Sequence, residues 1–311
     1  MGGAARDFIV LILVNLMWAV QFPAAKIATA ELGPITVTSL PLLAATLILA
    51  PILLFRARFA QGTKVTKPRD VPRAVADFAI IGVAGTLVAQ LFLVWGVQRS
   101  LASNASVISL SIPVVSAILA VILLSERMTR VRWISFTLAI AGVLLVSDIE
   151  WGSLRILHGD YLLGNLLIFG SCWGGAFYNV FSKKLLRRFD PLQVLVYSFV
   201  ASNLILVPMM FRYEPLSWNR LASLKPAVWI SLGAIAVFTL ALAMILFLWV
   251  LERLDAMQAS LSIYFLPVFG VILSALTVKE KITMRLLLGG GLVLVGTFLV
   301  TVYEQKKRSV P

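Results

Sequence analysis

Long apolar runs, separated by short polar connections, recur along the whole 311-residue chain. A run of about 20 apolar residues is long enough to cross a hydrocarbon core of about 30 Å as a helix. Transmembrane barrels show alternation over roughly 10 residues instead. The pattern therefore predicts an all-α polytopic membrane protein. The ten predicted spans are 8–29, 35–55, 75–97, 102–124, 131–148, 161–182, 191–211, 227–251, 256–277 and 285–303.

Composition and charge support a membrane protein and predict its orientation. Hydrophobic residues make up 60% of the chain and charged residues 13%, whereas soluble domains average about a quarter charged. With ten spans, 18 Lys and Arg residues fall on the side that holds both termini and 9 on the other. This bias predicts cytoplasmic termini in a bacterial inner membrane. It also explains the net charge of +13 without a nucleic-acid partner.

The chain repeats itself at an offset of 154 residues without a gap. The segment from Trp95 matches the segment from Trp249, with Pro113 against Pro267 and Glu126 against Glu280. We therefore predict a first five-helix repeat over 1–155, a second over 156–303 and a cytosolic tail over 304–311. Because five is odd, the two repeats are expected to cross the membrane in opposite directions, as in many transporters.

The fourth span of each half ends in a pattern that resembles a known family. The pattern is Pro-Val, eleven residues, then Glu-Arg/Lys-x-Thr, at Pro113 to Thr129 and at Pro267 to Thr283. It is similar to the drug/metabolite transporter superfamily, and more narrowly to its EamA-type ten-span exporters. This resemblance implies export of amino acids or related metabolites by alternating access, through a cavity lined by spans 1, 3, 4, 6, 8 and 9. The aromatic amino-acid exporters of this group are the nearest in character.

Polar and aromatic side chains deep in the spans are the candidates for solute binding, because polar groups in hydrocarbon are costly unless paired or wetted. Serines between membrane helices can instead serve only as interhelical hydrogen-bond partners, and tryptophans can belong to the interfacial belt. The predicted cavity-lining residues are Trp18, Gln21, Phe22, Gln90, Ser109, Trp173, Phe177, Tyr178 and Tyr264.

The paired prolines and the charges at the span ends form a second set of candidates. Pro113 and Pro267 fall near mid-span, where they are expected to act as hinges or to kink helices for packing. Glu126 with Arg127, and Glu280 with Lys281, are expected to form helix-end ion pairs or a gate. Lys26 near the end of span 1 either snorkels or attracts a carboxylate.

The types of residue that are missing from the spans reduce the number of possible functions. No Asp or Glu lies deep in a span, which disfavours a proton relay. The absence favours a uniporter, or a carrier driven by the solute gradient and the membrane potential, for neutral or zwitterionic solutes. A nucleotide-sugar or sugar-phosphate exchanger of the same superfamily is the alternative, but it needs several cations at depth. A channel or a non-transporting scaffold is less favoured. The only histidine is His158, in a loop, so we expect no enzyme, cofactor or metal.

The expected partners are a small-molecule solute and membrane lipid. The duplication puts both halves of the site in one chain, so we expect that a monomer can complete the site, and the sequence leaves the oligomeric state open.

Overall fold

The computed structural model describes residues 3–59, 71–124, 129–146, 161–251 and 263–309, and within them the regular structure is helical. Ten long helices follow one another, and a short helix, Trp218–Ala222, lies between the seventh and the eighth. Their bounds are α1 Gly3–Ala28, α2 Pro34–Phe59, α3 Val71–Gln98, α4 102–124, α5 Arg130–Val146, α6 Leu162–Leu186, α7 Pro191–Tyr213, α8 226–251, α9 Phe265–Thr277 and α10 Met284–Ser309.

Six of these helices contain stretches that are long and apolar enough to cross a membrane, as judged over the described residues. They are α1, α2, α3, α4, α7 and α8, and the shorter α9 and the first part of α10 are also apolar. The all-helical membrane fold predicted from the hydropathy pattern is confirmed. The start of the ninth predicted span, 256–262, lies outside the described residues.

The third helix of each half is interrupted at the same place. In α3 the residues Ile81–Leu87 form π-helical turns, and in α8 the residues Ile235–Ala243 do the same. The two segments begin 154 residues apart, which is the offset of the sequence repeat. A π turn widens the helix and often accompanies a functional site. The shared interruption shows that the repeat is a repeat of backbone geometry as well as of sequence.

Contacts across the connections place ten helix ends at one end of the bundle, which we call the capped end. The Nζ atom of Lys26, close to the C-terminus of α1, donates to the carbonyl of Val97 at the C-terminus of α3, at 3.1 Å. Ser100, between α3 and α4, donates to Asn165 in the first turn of α6. Asn104 in the first turn of α4 donates to the carbonyl of Val146, the last residue of α5, at 3.2 Å.

The remaining helices meet at the capped end through acidic residues and a glycine. Glu280, after α9, bonds to the start of α4, and Glu214, after α7, bonds to the start of α2. Glu31, after α1, pairs with Lys225 before α8 at 3.2 Å. Gly289 in α10 packs against the end of α5. Corresponding helices of the two halves, such as α1 and α6, therefore run in opposite directions.

Two carboxylates at the capped end occupy helix N-termini. The Glu280 carboxylate accepts from the backbone N–H groups of Ala102 and Ser103, both at 2.8 Å. The Glu214 carboxylate accepts from Ile35 at 3.1 Å and from Thr36 at 2.8 Å. A negative group here satisfies donors that lack partners inside the helix and interacts favourably with the helix dipole. Leu101, the residue before α4, provides no side-chain cap of its own.

The Glu31–Lys225 pair lies outside the spans and is exposed to solvent. The backbone N–H of Lys225 donates to the Glu31 carboxylate at 3.3 Å, and this bond is the main reason that the pKa of Glu31 is lowered. The carboxylate is therefore ionised at neutral pH and helps to hold the α1–α2 connection beside the start of α8.

Glycines allow α5 and α10 to touch along their backbones. A Cβ atom on Gly142 would lie 2.6 Å from the carbonyl oxygen of Gly289, and one on Gly289 would lie 2.8 Å from that of Gly142. Farther along, a Cβ on Gly296 would lie 2.8 Å from the carbonyl oxygen of Ser135. Small residues at such crossings are the usual means of close helix packing in membranes.

We expect Gly289→Val to destabilise the protein, because the added side chain would force α5 and α10 apart. Overpacking of this kind costs about 1–3 kcal/mol. Gly291→Val is the matched control, since nothing lies within 4 Å of a Cβ at that position. Thermal unfolding of the purified variants in detergent measures the difference. Equal melting temperatures for the two variants would contradict the close contact.

We expect Glu280→Gln to lower stability by about 1 kcal/mol, because a neutral amide is a weaker cap for the two N–H groups of α4. Lys281→Gln is the control, since that side chain is exposed next to Glu280 in the chain. The melting temperature should fall for Glu280→Gln and stay within the error of the native value for Lys281→Gln. An unchanged melting temperature for Glu280→Gln would contradict a stabilising role for the cap.

Candidate functional site

Two predicted site residues, Gln21 in α1 and Gln90 in α3, are joined by a hydrogen bond. The Nε2 atom of Gln21 donates to Oε1 of Gln90 at 2.5 Å. Gln21 is 5% exposed, and Gln90 is half-buried. Gln21 and Gln90 lie about two helical turns before the C-terminal ends of α1 and α3. The bond satisfies one donor and one acceptor where water is scarce, and it fixes the two amides relative to each other.

Two aromatic residues, Trp18 and Phe22, lie within one turn of Gln21 on α1. Trp18 is almost one turn before Gln21, and its ring centroid is 4.9 Å from that of Phe247 in α8. Phe22 is buried and reaches α9, where its ring lies 3.3 Å from the Cβ position of Gly270. One turn of α1 therefore presents Trp18, Gln21 and Phe22 to three different helices.

The predicted residues of α6 lie on two faces. Trp173 and Phe177 are half-buried, and Phe177 stacks on Phe181 with ring centroids 5.4 Å apart. Tyr178 is buried on the side that meets α3, where its ring lies 3.3 Å from the Cβ position of Gly85. Among the described residues, no ring contact or hydrogen bond joins these side chains directly to the Gln21–Gln90 pair.

Ser109 and Tyr264 occupy the fourth and ninth spans. The hydroxyl of Ser109 donates to the carbonyl of Ala105 in its own helix at 2.8 Å, so it has a local partner. Tyr264 lies immediately before α9 and is half-buried. Solute contact at either residue stays a prediction.

A helix irregularity accompanies Pro113, whereas Pro267 lies in the first turn of a regular helix, α9. The 3₁₀ turn Ser109–Ser111 directly precedes the α-helical segment in which Pro113 is the second residue. The carbonyl of Leu110 at this break accepts from the hydroxyl of Thr297 in α10 at 2.6 Å. Pro267 is buried as the third residue of α9. A break whose carbonyl is bonded to a neighbouring helix is tolerated in a membrane, and hinge motion stays a prediction.

The charged candidates lie at the helix ends. Besides Val97, Lys26 donates to the carbonyls of Gln98, at 3.4 Å, and Ser100, and so caps the C-terminus of α3. Glu280 caps α4, and Lys281 is exposed. Glu126 and Arg127 lie outside the described residues. At the other end of the bundle, Lys184 of α6 pairs with buried Asp77 of α3 at 3.2 Å.

Residue types for metal binding are not gathered in the described part of the chain, where no three His, Cys, Asp or Glu residues form a cluster. The chemical groups that the described arrangement brings together are the Gln21 and Gln90 amides and the Trp18 and Phe247 rings, which can form hydrogen bonds and aromatic contacts.

Sequence reasoning missed Phe247, the ring that contacts Trp18. The repeat could have identified this residue. Met244 is the counterpart of Gln90, a predicted site residue, at the offset of 154, and Phe247 lies almost one helical turn after Met244.

Comparison with known proteins places the chain among membrane transporters. Curated relatives include an uncharacterized transporter of Archaeoglobus fulgidus, 26% identical over 95% of this chain and 98% of its own. A probable terminal-alkyne amino-acid exporter of Streptantibioticus cattleyicolor is 25% identical over 97% of this chain and 96% of its own. A crystal structure with 17% identity has the same fold, with a TM-score of 0.64 over 98% of this chain and 99% of that one.

The model of the EamA-like transporter family matches residues 7–148 and again residues 162–302. These two matches correspond to the two five-helix halves and together cover most of the protein. The chain belongs to the EamA-like transporter family and is a membrane-embedded transporter with two copies of the family domain.

Proposed function

We propose that the protein exports small neutral or zwitterionic metabolites of amino-acid type across the bacterial inner membrane by alternating access. The observation that carries the proposal is the Gln21–Gln90 amide pair beside the Trp18 and Phe247 rings. Polar groups at this depth that carry no charge suit a solute without net charge. The probable amino-acid exporter among the relatives points to the same solute class.

The arrangement of the halves supports alternating access. Corresponding helices run in opposite directions, and a solute site between two such halves can be opened to either side in turn. By the charge bias, the capped end faces away from the cytoplasm, with both termini inside. The contacts of Glu280 with α4 and of Glu214 with α2 would then hold the outer side closed.

The alternative, an exchanger of sugar phosphates or nucleotide sugars, is disfavoured by how the cations are used. Lys26 bonds to three backbone carbonyls, and Lys184 pairs with Asp77. A doubly charged phosphate buried beside amides alone would lose its hydration without compensation.

The direct test is counterflow of labelled solute in proteoliposomes that contain the purified protein. We expect exchange of phenylalanine or leucine, and little exchange of sugar phosphates. Trp18→Ala should lower the exchange rate roughly 3- to 10-fold, since an aromatic pair contributes about 0.5–1.5 kcal/mol beyond area burial. Trp229→Ala is the control, because that ring is exposed on the surface of α8. A wild-type protein that exchanges no solute in any class would refute the transporter proposal.

The second test concerns energy coupling. The carboxylates of the described helices lie near helix ends, as Asp7 of α1 and Asp77 of α3 do, which leaves no deep acid to carry a proton. We therefore expect that a pH gradient imposed at zero membrane potential does not drive uptake into proteoliposomes. A solute gradient alone, at equal pH, should suffice. Strict dependence of uptake on the pH gradient would overturn this mechanism.

A further inference from the structure

We propose that the Gln21–Gln90 pair binds the ammonium and carboxylate groups of an α-amino acid, and that the second half of the protein faces its apolar side chain. This inference rests on the proposed transport function and assigns the roles of the two halves within the same site. It follows from the hydrogen-bonding capacity of the pair and from its counterparts in the repeat.

The two paired amides still have the hydrogen-bond donors and acceptors that can bind the carboxylate and ammonium groups of an α-amino acid. A primary amide has two N–H donors and a carbonyl oxygen with two lone pairs. The bond from Gln21 to Gln90 leaves the carbonyl oxygen of Gln21 and both N–H groups of Gln90 available. The oxygen can accept from an ammonium group, and the N–H groups can donate to a carboxylate. Turning both amides over exchanges these roles and preserves the set.

The corresponding positions of the second half are apolar. At the offset of 155 that aligns Trp18 with Trp173, Gln21 corresponds to Ala176. At the offset of 154, Gln90 corresponds to Met244. Ala176 is buried and Met244 is half-buried against the core. The aromatic residue is retained in both halves, as Trp18 and Trp173, whereas the amide pair occurs in the first half only. A solute between the halves would therefore meet amides on one side and apolar groups on the other.

Lys26 and Glu280 are both bonded to helix ends, so neither is free to balance a net charge on the solute. Lys26 is bonded to the end of α3 and cannot also neutralise a lone carboxylate without leaving those carbonyls. The Glu280 carboxylate is bonded to the start of α4. A zwitterion brings its own compensating charge, whereas an amine or an acid of the same shape does not. The site is therefore expected to discriminate by net charge.

The experiment measures inhibition of phenylalanine counterflow by phenylalanine, phenethylamine and 3-phenylpropionate. The wild-type protein should prefer phenylalanine strongly over the other two. Gln21→Leu and Gln90→Leu should each weaken phenylalanine binding roughly 10- to 100-fold, since a hydrogen bond to a charged group contributes about 1.5–3 kcal/mol. The preference over phenethylamine should shrink in both variants. Gln98→Leu, the same substitution near the end of α3, is the control and should leave both values unchanged.

A second variant tests the orientation of the solute. Met244→Gln places an amide in the half that we assign to the apolar side chain. It should raise inhibition by glutamine relative to phenylalanine while the preference over phenethylamine is kept. Melting temperatures close to that of the wild type identify variants that fold.

The outcomes separate the two proposals. Suppose that the wild type exchanges amino acids but that Gln21→Leu and Gln90→Leu lose affinity for all three inhibitors equally. The assigned contacts are then wrong, and the proposed transport function is unaffected. If the wild type prefers phenethylamine or 3-phenylpropionate, the zwitterion assignment is wrong. If no solute is exchanged at all, both proposals fail.

Discussion

The structure depends on one constraint, which is that backbone N–H and C=O groups in a membrane need partners within the protein. Every helix end and every interruption releases such groups. The carbonyls at the end of α3 are bonded by Lys26, and the N–H groups at the start of α4 are bonded by Glu280. The carbonyl of Leu110, in the 3₁₀ turn of α4, accepts a hydrogen bond from Thr297 of α10. At the capped end, charged side chains thus provide the hydrogen-bond partners that the backbone groups at the helix ends lack.

Because these charged side chains are bonded to helix ends, they limit which chemical groups are left to bind a solute. Once Lys26 and Glu280 are held by helix ends, the bundle interior around α1 and α3 offers amides and rings. Amides in a low-dielectric interior form strong hydrogen bonds but cannot balance a net charge on a buried solute. The same constraint that closes the helix ends therefore favours solutes that are neutral as a whole.

The sequence was sufficient for the helical membrane fold, for the repeat, and for Gln21 and Gln90 as candidates, because hydropathy, residue identity and spacing encode these features. Other contacts join residues far apart in the chain and follow no periodicity. Glu280 was expected to act with Lys281 at a helix end or gate, yet its carboxylate bonds to Ala102, 178 positions away. Tyr178 lies on a different face from Phe177, because successive helical residues differ by about 100°.

The π turns show a further limit of sequence reasoning. Each π segment is apolar except for one threonine, Thr86 in the first and Thr239 in the second, and the two threonines are not at equivalent positions of the repeat. No shared pattern of polar positions therefore marks the segments. Their shared offset became visible only from the backbone. The hydroxyl of Ser202 donates to the carbonyl of Gly82 in the first segment at 2.9 Å, and that of Thr239 in the second donates to Met17 at 3.0 Å. Backbone irregularities thus recur at equivalent places while their side-chain partners differ.

The equivalent backbones and the different side chains of the two halves are suited to different tasks: the backbones to conformational change, and the side chains to binding a solute. Two halves that exchange roles between an inward-open and an outward-open state need matching backbones, since the free energies of the two states must be similar for either to be populated. The solute that we propose, an amino acid with one polar and one apolar end, would impose no such symmetry, because it would bind between the halves once. A repeat can therefore keep its π turns and prolines in pairs, and still carry its amides in one half and Ala176 and Met244 in the other.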